Sequence, residues 1–548
     1  MRLWYIILKL IAFSLNKEVS LSLPKSRLSL LNEDPQSKVL LGIKRGIEKE
    51  SLRVTPSGTL AQTPHSPLLG SALTHPQITT DFSEALLEFI TPPLTDAGEV
   101  LQTLEDIHRF TYSNIGDEIL WTSSMPCQLN GESNIPVGEY GSSNIGAMKH
   151  TYRLGLGHRY GRLMQTIAGI HYNFSVPDEL MQTLREKEGS ILSFQDFKTE
   201  NYFSLIRNFR RHFWLLLYLF GASSAICRSF VKGRDHQLVP FDADKHSLYL
   251  PYATSIRMSD LGYQSEAQDS LVVCYNSLQN YIKTLRSVLI KPYPSYESIG
   301  LKNSNGDYKQ LNLNILQIEN ELYSPIRPKR STCTGQTPLQ ALREEGVEYI
   351  EVRCIDLNPF LPLGIDRAQM DFLDIFLLTC LLSKSAPTDQ HEYNHILENQ
   401  RLMVSKGRSP GLMLHSPEGM RSFSGWSHSI FEEMRPVAQL LDQQHQTSRY
   451  QTALEKLELL IDNPSLTPSA QILQTMKQTG KTYYKVAMEQ ALKNREHFLE
   501  KKLSPEITKK YTLMATESLS HQKKIEEADT LNFDEFLKAY RQQCNFKI

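Results

Sequence analysis

Across residues 163–176, the run LMQTIAGIHYNFSV, apolar and polar positions alternate. Met164, Thr166, Ala168, Ile170, Tyr172 and Phe174 fall on one side of an extended chain, and Gln165, Ile167, Gly169, His171, Asn173 and Ser175 on the other. A two-residue period of this kind predicts a strand packed on one face only. A solvated strand face usually carries Thr, Lys and Glu. This one carries short directional ligands, and Gly169 among them permits close approach to the backbone, so it reads as the floor of a site rather than as plain surface. Residues 347–356, VEYIEVRCID, repeat the pattern with Tyr349, Glu351, Arg353 and Ile355 on one side. In Gly46-Ile47-Glu48-Lys49-Glu50 the two glutamates point the same way, about 7 Å apart. Residues 79–91, TTDFSEALLEFIT, fit either a helix that stacks Asp81 over Glu88 or a strand–turn–strand. The β-prone LEFIT sequence, ended by Pro92-Pro93, favours a strand over 85–91 with Glu88 between Leu86 and Ile90.

Beyond Pro359-Phe360-Leu361-Pro362 the period changes. Residues 369–382 form a continuous apolar run of helical length, and Leu454, Leu457 and Ile461 recur as on one helix face. Thr467-Pro468 reads as an N-cap with Pro at the first helical position, opening a helix through Met476. The last fifty residues are charged and predicted helical. No internal repeat and no Gly/Ser-rich or Pro-rich linker divides the chain. The expected organisation is one catalytic domain over 21–548, strand-rich over 36–365 and helical over 366–548. Residues 1–20 form an extension: their apolar start resembles a signal peptide, but Lys9 interrupts it, no small-x-small cleavage site follows, and it is too short for a bilayer.

The 548 residues include 59 basic and 60 acidic ones, a formal charge of −1 with no basic tract. That excludes a nucleic-acid backbone as partner. Seven cysteines (127, 227, 274, 333, 354, 380, 544) are odd in number and never spaced CxxC, as expected for thiols in a reducing cytoplasm rather than a disulfide framework or zinc site.

The candidate chemistry lies in acidic and imidazole side chains on segments that otherwise read as buried: Glu48, Glu50, Asp81, Glu88, His171 and Glu351. Like charges on one face repel unless a cation lies between them, and oxygen-dominated ligation points to Mg²⁺ held together with phosphate. Glu351 and Arg353, on one face, would divide the work between metal and phosphoryl oxygen, although a simple surface pair fits equally. Arg257 to Tyr263, RMSDLGY, sets a guanidinium and a phenol in a loop suited to an amino-acid carboxylate. Arg327-Pro328-Lys329-Arg330 is either a charged surface loop or a rigid clamp for polyphosphate. No Walker A sequence is present, no GxGxxG follows a strand, and His150, His158 and His171 match no zinc spacing. An ATP-using enzyme without a covalent protein nucleophile is the reading that results.

Long ordered blocks carry a resemblance. GIKRGIEKESLRV (42–54), SALTHPQITTDFSEALLEFITP (71–92), SMPC (124–127), YGSSNIG (140–146) and YRLGLGHRYGRLMQTIAGIHYNFS (152–175) resemble the proteobacterial type of glutamate–cysteine ligase. So do YLFGAS (218–223), LPYATSIRMSDLGY (250–263), LQIENELYSPIRPKR (316–330) and GVEYIEVRCIDLNPF (346–360), while the helical remainder matches more loosely. The resemblance implies an α+β fold of the glutamine-synthetase-like type, with an antiparallel, funnel-like sheet, surrounding helices and a helical C-terminal portion. It implies ATP-dependent joining of L-glutamate to L-cysteine by a monomeric cytoplasmic enzyme with no nucleic-acid or membrane partner, first in glutathione synthesis. Position by position it assigns Glu48, Glu50, Asp81, Glu88, His171 and Glu351 to Mg²⁺, or Mn²⁺ in its place. Phe82, Tyr152, Leu156, Gln165, Arg257, Tyr263 and Tyr323 would surround cysteine, Asn173 would lie near glutamate, and Arg153 and Arg353 would serve the transferred phosphoryl group. Lys329 and Arg330 as nucleotide contacts extend that set from charge and position. The rivals are a related carboxylate–amine ligase with another amine acceptor and, from a different class, a metal-dependent hydrolase that leaves the cationic clamp unexplained.

Overall fold

An antiparallel sheet with one apolar and one acidic face organises the molecule, which a computed structural model describes for residues 25–32, 38–126, 128–241, 246–262, 266–269, 271–332 and 336–543. The extension 1–20, Tyr263, Cys127, Cys333 and Cys544 lie outside the described residues. In chain order the strands are β1 (Lys44–Val54), β2 (Ile78–Thr80), β3 (Leu86–Ile90), β4 (Ile119–Leu120), β5 (Ile170–Ser175), β6 (Ala225–Cys227), β7 (Val239–Pro240), β8 (Ser247–Tyr249), β9 (Ile326–Lys329), β10 (Tyr349–Ile355), β11 (Met413–Ser416) and β12 (Gly419–Ser422). The main sheet runs β2-β3-β1-β5-β10-β9, with β4 paired to the end of β1; β6, β8 and β7 make a small second sheet and β11–β12 a hairpin. The expected α+β architecture holds: an antiparallel sheet surrounded by helices.

Two expectations change in detail. Residues 36–365 hold the whole main sheet, but helices such as Ala97–Tyr112, Asn144–Tyr160 and Phe194–His212 occupy more of that region than strands do, so it is not strand-rich by residue share. The strand expected over 163–176 begins only at Ile170. The preceding helix ends at Gly161, whose φ of +80° lets the chain reverse, and Met164–Thr166 closes on itself as a 3-10 turn. Gln165 therefore sits on a turn and not on the strand. The downstream helices follow the sequence closely. Arg367–Leu382 is buried along its length behind an Asp366/Gln369 capping box, Leu454, Leu457 and Ile461 face inward on Arg449–Asp462, and Thr467 caps Pro468–Thr479 by accepting from the Ala470 N–H. Among the described residues no helix is long and apolar enough to cross a membrane.

Ile47, Leu87, Phe89, Tyr172, Phe174, Ile350 and Val352 cover the apolar face, all buried. One ion pair crosses this core: Arg45 Nη2 lies 2.6 Å from Asp374 Oδ2, with neither side chain exposed, and the Tyr172 hydroxyl donates to Asp374 Oδ1 at 2.8 Å. The pair ties β1 to the central helix. Removing one member leaves an uncompensated charge in the core, whereas replacing both by apolar groups of similar volume does not. Asp374→Ala should therefore lower unfolding stability by roughly 3–5 kcal/mol, and Arg45→Met with Asp374→Leu should recover most of it. Equal denaturant midpoints for Asp374→Ala and the parent would refute this.

His428 pins the helix Phe423–His445 to Arg449–Asp462 through Glu458 (Nδ1 to Oε1, 3.1 Å) and Asp462 (Nε2 to Oδ1, 3.0 Å). The Glu458 hydrogen bond, with Asp462 adding to it, raises the His428 pKa above the ordinary 6.5. A raised folded-state pKa gives stability that is complete below the unfolded value and lost as pH rises through the folded one. The stability difference between the parent and His428→Gln should thus be largest on the acid side of 6.5 and shrink above it. Thermal melts across this range would show a constant difference if the pair contributes nothing.

Candidate active site

Cross-strand pairing decides which side chains share the polar face, because directly opposed residues of an antiparallel pair point the same way. Glu48 pairs with His171, Glu50 with Glu88, and Glu88 in turn with Thr79. On the other half, Asn173 pairs with Glu351, Glu351 with Arg327, and Tyr349 with Lys329. Five strands thus raise carboxylates, an imidazole and cations on one face. The helix Asn144–Tyr160 contributes Lys149, Tyr152, Arg153 and Leu156 to the lining, and the segment after β2 adds Asp81 and Phe82; the cavity is about 390 Å³.

His171 Nδ1 is 3.1 Å from Glu48 Oε2, and Asn173 Nδ2 donates to Glu48 Oε1 at 2.9 Å. One ligand atom each from Glu48, His171 and Glu351 lie within 4.8 Å of one another. Glu351 also meets Arg353 Nη1 at 3.2 Å and Lys329 Nζ at 3.4 Å. Burial works to raise the Glu351 pKa, but Lys329, Arg353, His171 and Arg327 outweigh it and hold the group well below the carboxylate range. Glu50 behaves oppositely. It accepts from the Gly169 N–H at 2.7 Å, yet burial and then Asp81 push its pKa up to about 8. Burial, with Glu48, Asp81 and Glu50 adding, raises Glu88 well above its usual value. Burial and the Arg353 charge lower the His171 pKa, keeping the ring neutral and able to ligate.

These carboxylates cannot all ionise together without added positive charge. The buried His171 Nε2 has no hydrogen-bond partner among the described residues and lies 3.7 Å from Glu50 Oε1. Asn173 Oδ1 is likewise buried without a partner. An oxygen-rich set with one imidazole and an orphaned ring nitrogen fits a hard divalent cation of the Mg²⁺ or Mn²⁺ type.

A second cavity of about 160 Å³ meets the first at His171, Tyr323 and Arg353 and carries Arg210, Arg257 and Arg401. Arg257 donates to the Arg353 carbonyl at 2.9 Å and sits 3.5 Å from Asp356. Its guanidinium lies over Gly169, where a Cβ would come within 2.0 Å of Arg257 Nη2. The close approach expected at Gly169 is therefore made by the protein's own arginine.

Of the residues expected around cysteine, Phe82, Tyr152, Leu156, Gln165 and Tyr323 line the acidic cavity, and Gln165 donates to the Tyr323 hydroxyl at 3.3 Å. Arg257 lines the second cavity instead. Arg153 stacks 4.5 Å from the Tyr140 ring centroid and donates to the carbonyls of Asp81 and Lys149. The expected cationic clamp divides: Arg327 and Lys329 line the acidic cavity, whereas Arg330 pairs with Glu345 at 2.6 Å and lines only an adjoining cavity, which Arg327 and Lys329 also line. Lys149 was not anticipated. The spacing 145, 148–149, 152–153, 156 along one helix face is the signal that marks it.

The sequence profile of the family described as glutamate-cysteine ligase matches residues 28–403. The chain is 52% identical to a glutamate–cysteine ligase of Saccharophagus degradans, covering 94% of this chain and 97% of that one. It is 50% identical to the one from Alcanivorax borkumensis, over 93% and 98%. A solved glutamate–cysteine ligase from Francisella tularensis in complex with AMP superposes with a TM-score of 0.86 at 35% identity, covering 92% of this chain and 98% of that chain. A bifunctional glutathione synthetase from Pasteurella multocida shares the fold at 23% identity and a TM-score of 0.68, over 89% of this chain and 58% of that one. By family model, by sequence identity over nearly its whole length and by fold, this chain belongs to the glutamate–cysteine ligase family.

Proposed function

We infer that the acidic cavity joins the γ-carboxylate of L-glutamate to the amine of L-cysteine at the expense of ATP, giving γ-glutamylcysteine, ADP and phosphate. The observation that carries this reading is the pairing of a self-repelling carboxylate set with guanidinium groups in one cavity. A carboxylate is a poor acylating agent, so one of its oxygens first attacks the γ-phosphorus of ATP and ADP leaves. The amine nitrogen then attacks the acyl carbon, phosphate departs, and the amine gives up its proton.

Mg²⁺ bound by Glu48, Glu50, Asp81, Glu88, His171 and Glu351 would supply charge neutralisation for the phosphoryl group. Arg353, held on Glu351, and Arg153, braced on Tyr140, present guanidinium groups to that same charge without needing to reorganise. Phe82, Tyr152, Leu156, Gln165 and Tyr323 supply an apolar wall with a polar tip that suits the cysteine side chain, and they would hold its amine about 3–3.5 Å from the acyl carbon. Asn173, which donates to Glu48, would serve glutamate, and Arg257 would meet an amino-acid carboxylate approaching from the second cavity. Lys329, which lines the cavity beside Glu351, would meet the nucleotide's phosphates, while Arg330 would do so only from the adjoining cavity. The free thiols of Cys227, Cys274, Cys354 and Cys380 accord with a reducing cytoplasm.

ADP release should require glutamate and Mg²⁺ and rise sharply with cysteine as acceptor. Equal stimulation by unrelated amines, or none by cysteine, would sink the assignment. Because Glu50 is protonated near neutrality in the metal-free chain, Glu50→Gln should fold normally, with the amide oxygen still accepting from Gly169, yet lose about 100-fold or more in turnover. An unfolded variant would instead mark a structural carboxylate. Metal binding at a site with raised carboxylate pKa values must displace protons. Mg²⁺ added at pH 7 in weak buffer should release about one proton or more per chain, and a silent pH trace would argue against ligation by Glu50 and Glu88.

A further inference from the structure

Far from the carboxylate cluster in function, the helix Gln390–Lys406 carries His391, Glu392 and His395 in the order H-E-x-x-H. His391 and His395 lie one turn apart on the same face, with ring centroids 4.2 Å apart. His415, on β11, stacks on His395 at 4.4 Å with 19° between the rings. Its Nε2 is 3.2 Å from Glu398 Oε2, a further position on that helix face. We propose that His391, His395, His415 and Glu398 form a surface site for a borderline transition-metal cation, Zn²⁺ above all, separate from the Mg²⁺ site.

Three observations support it. The donor set is three imidazoles and one carboxylate, which suits Zn²⁺, Ni²⁺ or Cu²⁺ and is the wrong chemistry for Mg²⁺. The 3.2 Å between His415 and Glu398 is close to the separation of two ligands on a tetrahedral zinc, about 3.3 Å for bonds near 2.0–2.1 Å. The backbone carrying the third histidine is also fixed. The buried Asn399 side chain both donates to the His415 carbonyl and accepts from its N–H, each at 2.8 Å. The ligand atoms of these four do not converge as they stand, since the converged set among the described residues is Glu48, His171 and Glu351, so closing this set around an ion requires the side chains of His391 and His395, exposed and half-buried, to rotate.

The motif's glutamate has a different fate from that in zinc hydrolases, where it serves as general base. Glu392 turns away and is held by Arg211 through both oxygens, at 2.5 and 3.0 Å. The site therefore binds and does not hydrolyse. A bound ion would clamp the β11–β12 hairpin to a helix whose opposite side, with Tyr393, Gln400 and Arg401, walls the second cavity. It would stiffen that wall.

The test uses the full chain in saturating Mg²⁺, titrated with Zn²⁺ by calorimetry and with Co²⁺ by absorption. The parent should take up one equivalent that His395→Ala/His415→Ala loses or binds at least about tenfold more weakly, with tetrahedral Co²⁺ bands disappearing in parallel. His391→Asn, at an exposed position, should weaken the same equivalent, and His171→Ala should retain it. Equal uptake and affinity in the parent and both surface variants, or loss of that equivalent in His171→Ala instead, would overturn the proposal. Neither result depends on which amine the ligase accepts.

Discussion

Several carboxylates share one face of a sheet whose other face is hydrophobic core, and their mutual repulsion is the constraint around which the molecule is arranged. Burial raises the free energy of each ionised group, and neighbours of like sign raise it further. The chain divides the problem in two. Glu351 is relieved by Lys329, Arg353, His171 and Arg327 and is held well below the carboxylate range. In Glu50 burial and Asp81 outweigh Arg257, Arg353 and the Gly169 N–H, and in Glu88 burial and the neighbouring carboxylates outweigh Arg153, so both keep their protons to higher pH. This asymmetry leaves the half of the cavity nearest Asp81 in need of a cation and the half nearest β9 already cationic.

Such a cluster needs a rigid floor, since side chains that could swing apart would simply relax into solvent. The floor is supplied from below. Arg45, beside the carboxylate-bearing stretch of β1, is locked to Asp374 on the buried central helix, and Tyr172, between His171 and Asn173, bonds to the same carboxylate. The two strands that raise Glu48, Glu50 and His171 on one face are therefore each anchored on the other by a neighbouring residue. Gly169 completes the arrangement by bringing the end of the turn close to both Glu50 and Arg257.

Much of this was legible in the chain itself. The alternation around His171 and Glu351, the paired glutamates of β1 and the strand choice for 85–91 all correspond to observed strands. The helices of the C-terminal part are where capping residues and apolar period place them. The turn at Met164–Thr166 was not legible, because Gln165 continues the two-residue alternation although its backbone bonds to Arg162 rather than to a neighbouring strand. The outward turn of Arg330 was not legible either: its partner Glu345 is fifteen residues away, and nothing local distinguishes it from Lys329.

By itself the sequence determined which segments could be half-buried strands, which faces they would offer, and that oxygen ligands and cations would be concentrated there, since side-chain period and charge are local properties. Only the tertiary structure decided the neighbours. The registers that put Glu48 opposite His171 and Glu50 opposite Glu88 join segments far apart in the chain, as does the contact of Arg257 with Gly169. The assembly of His415 with His391 and His395 likewise depends on a hairpin folding back onto a helix. Charge interactions act through space rather than along the chain, so the protonation state of each carboxylate is a property of the assembled face and of no single motif.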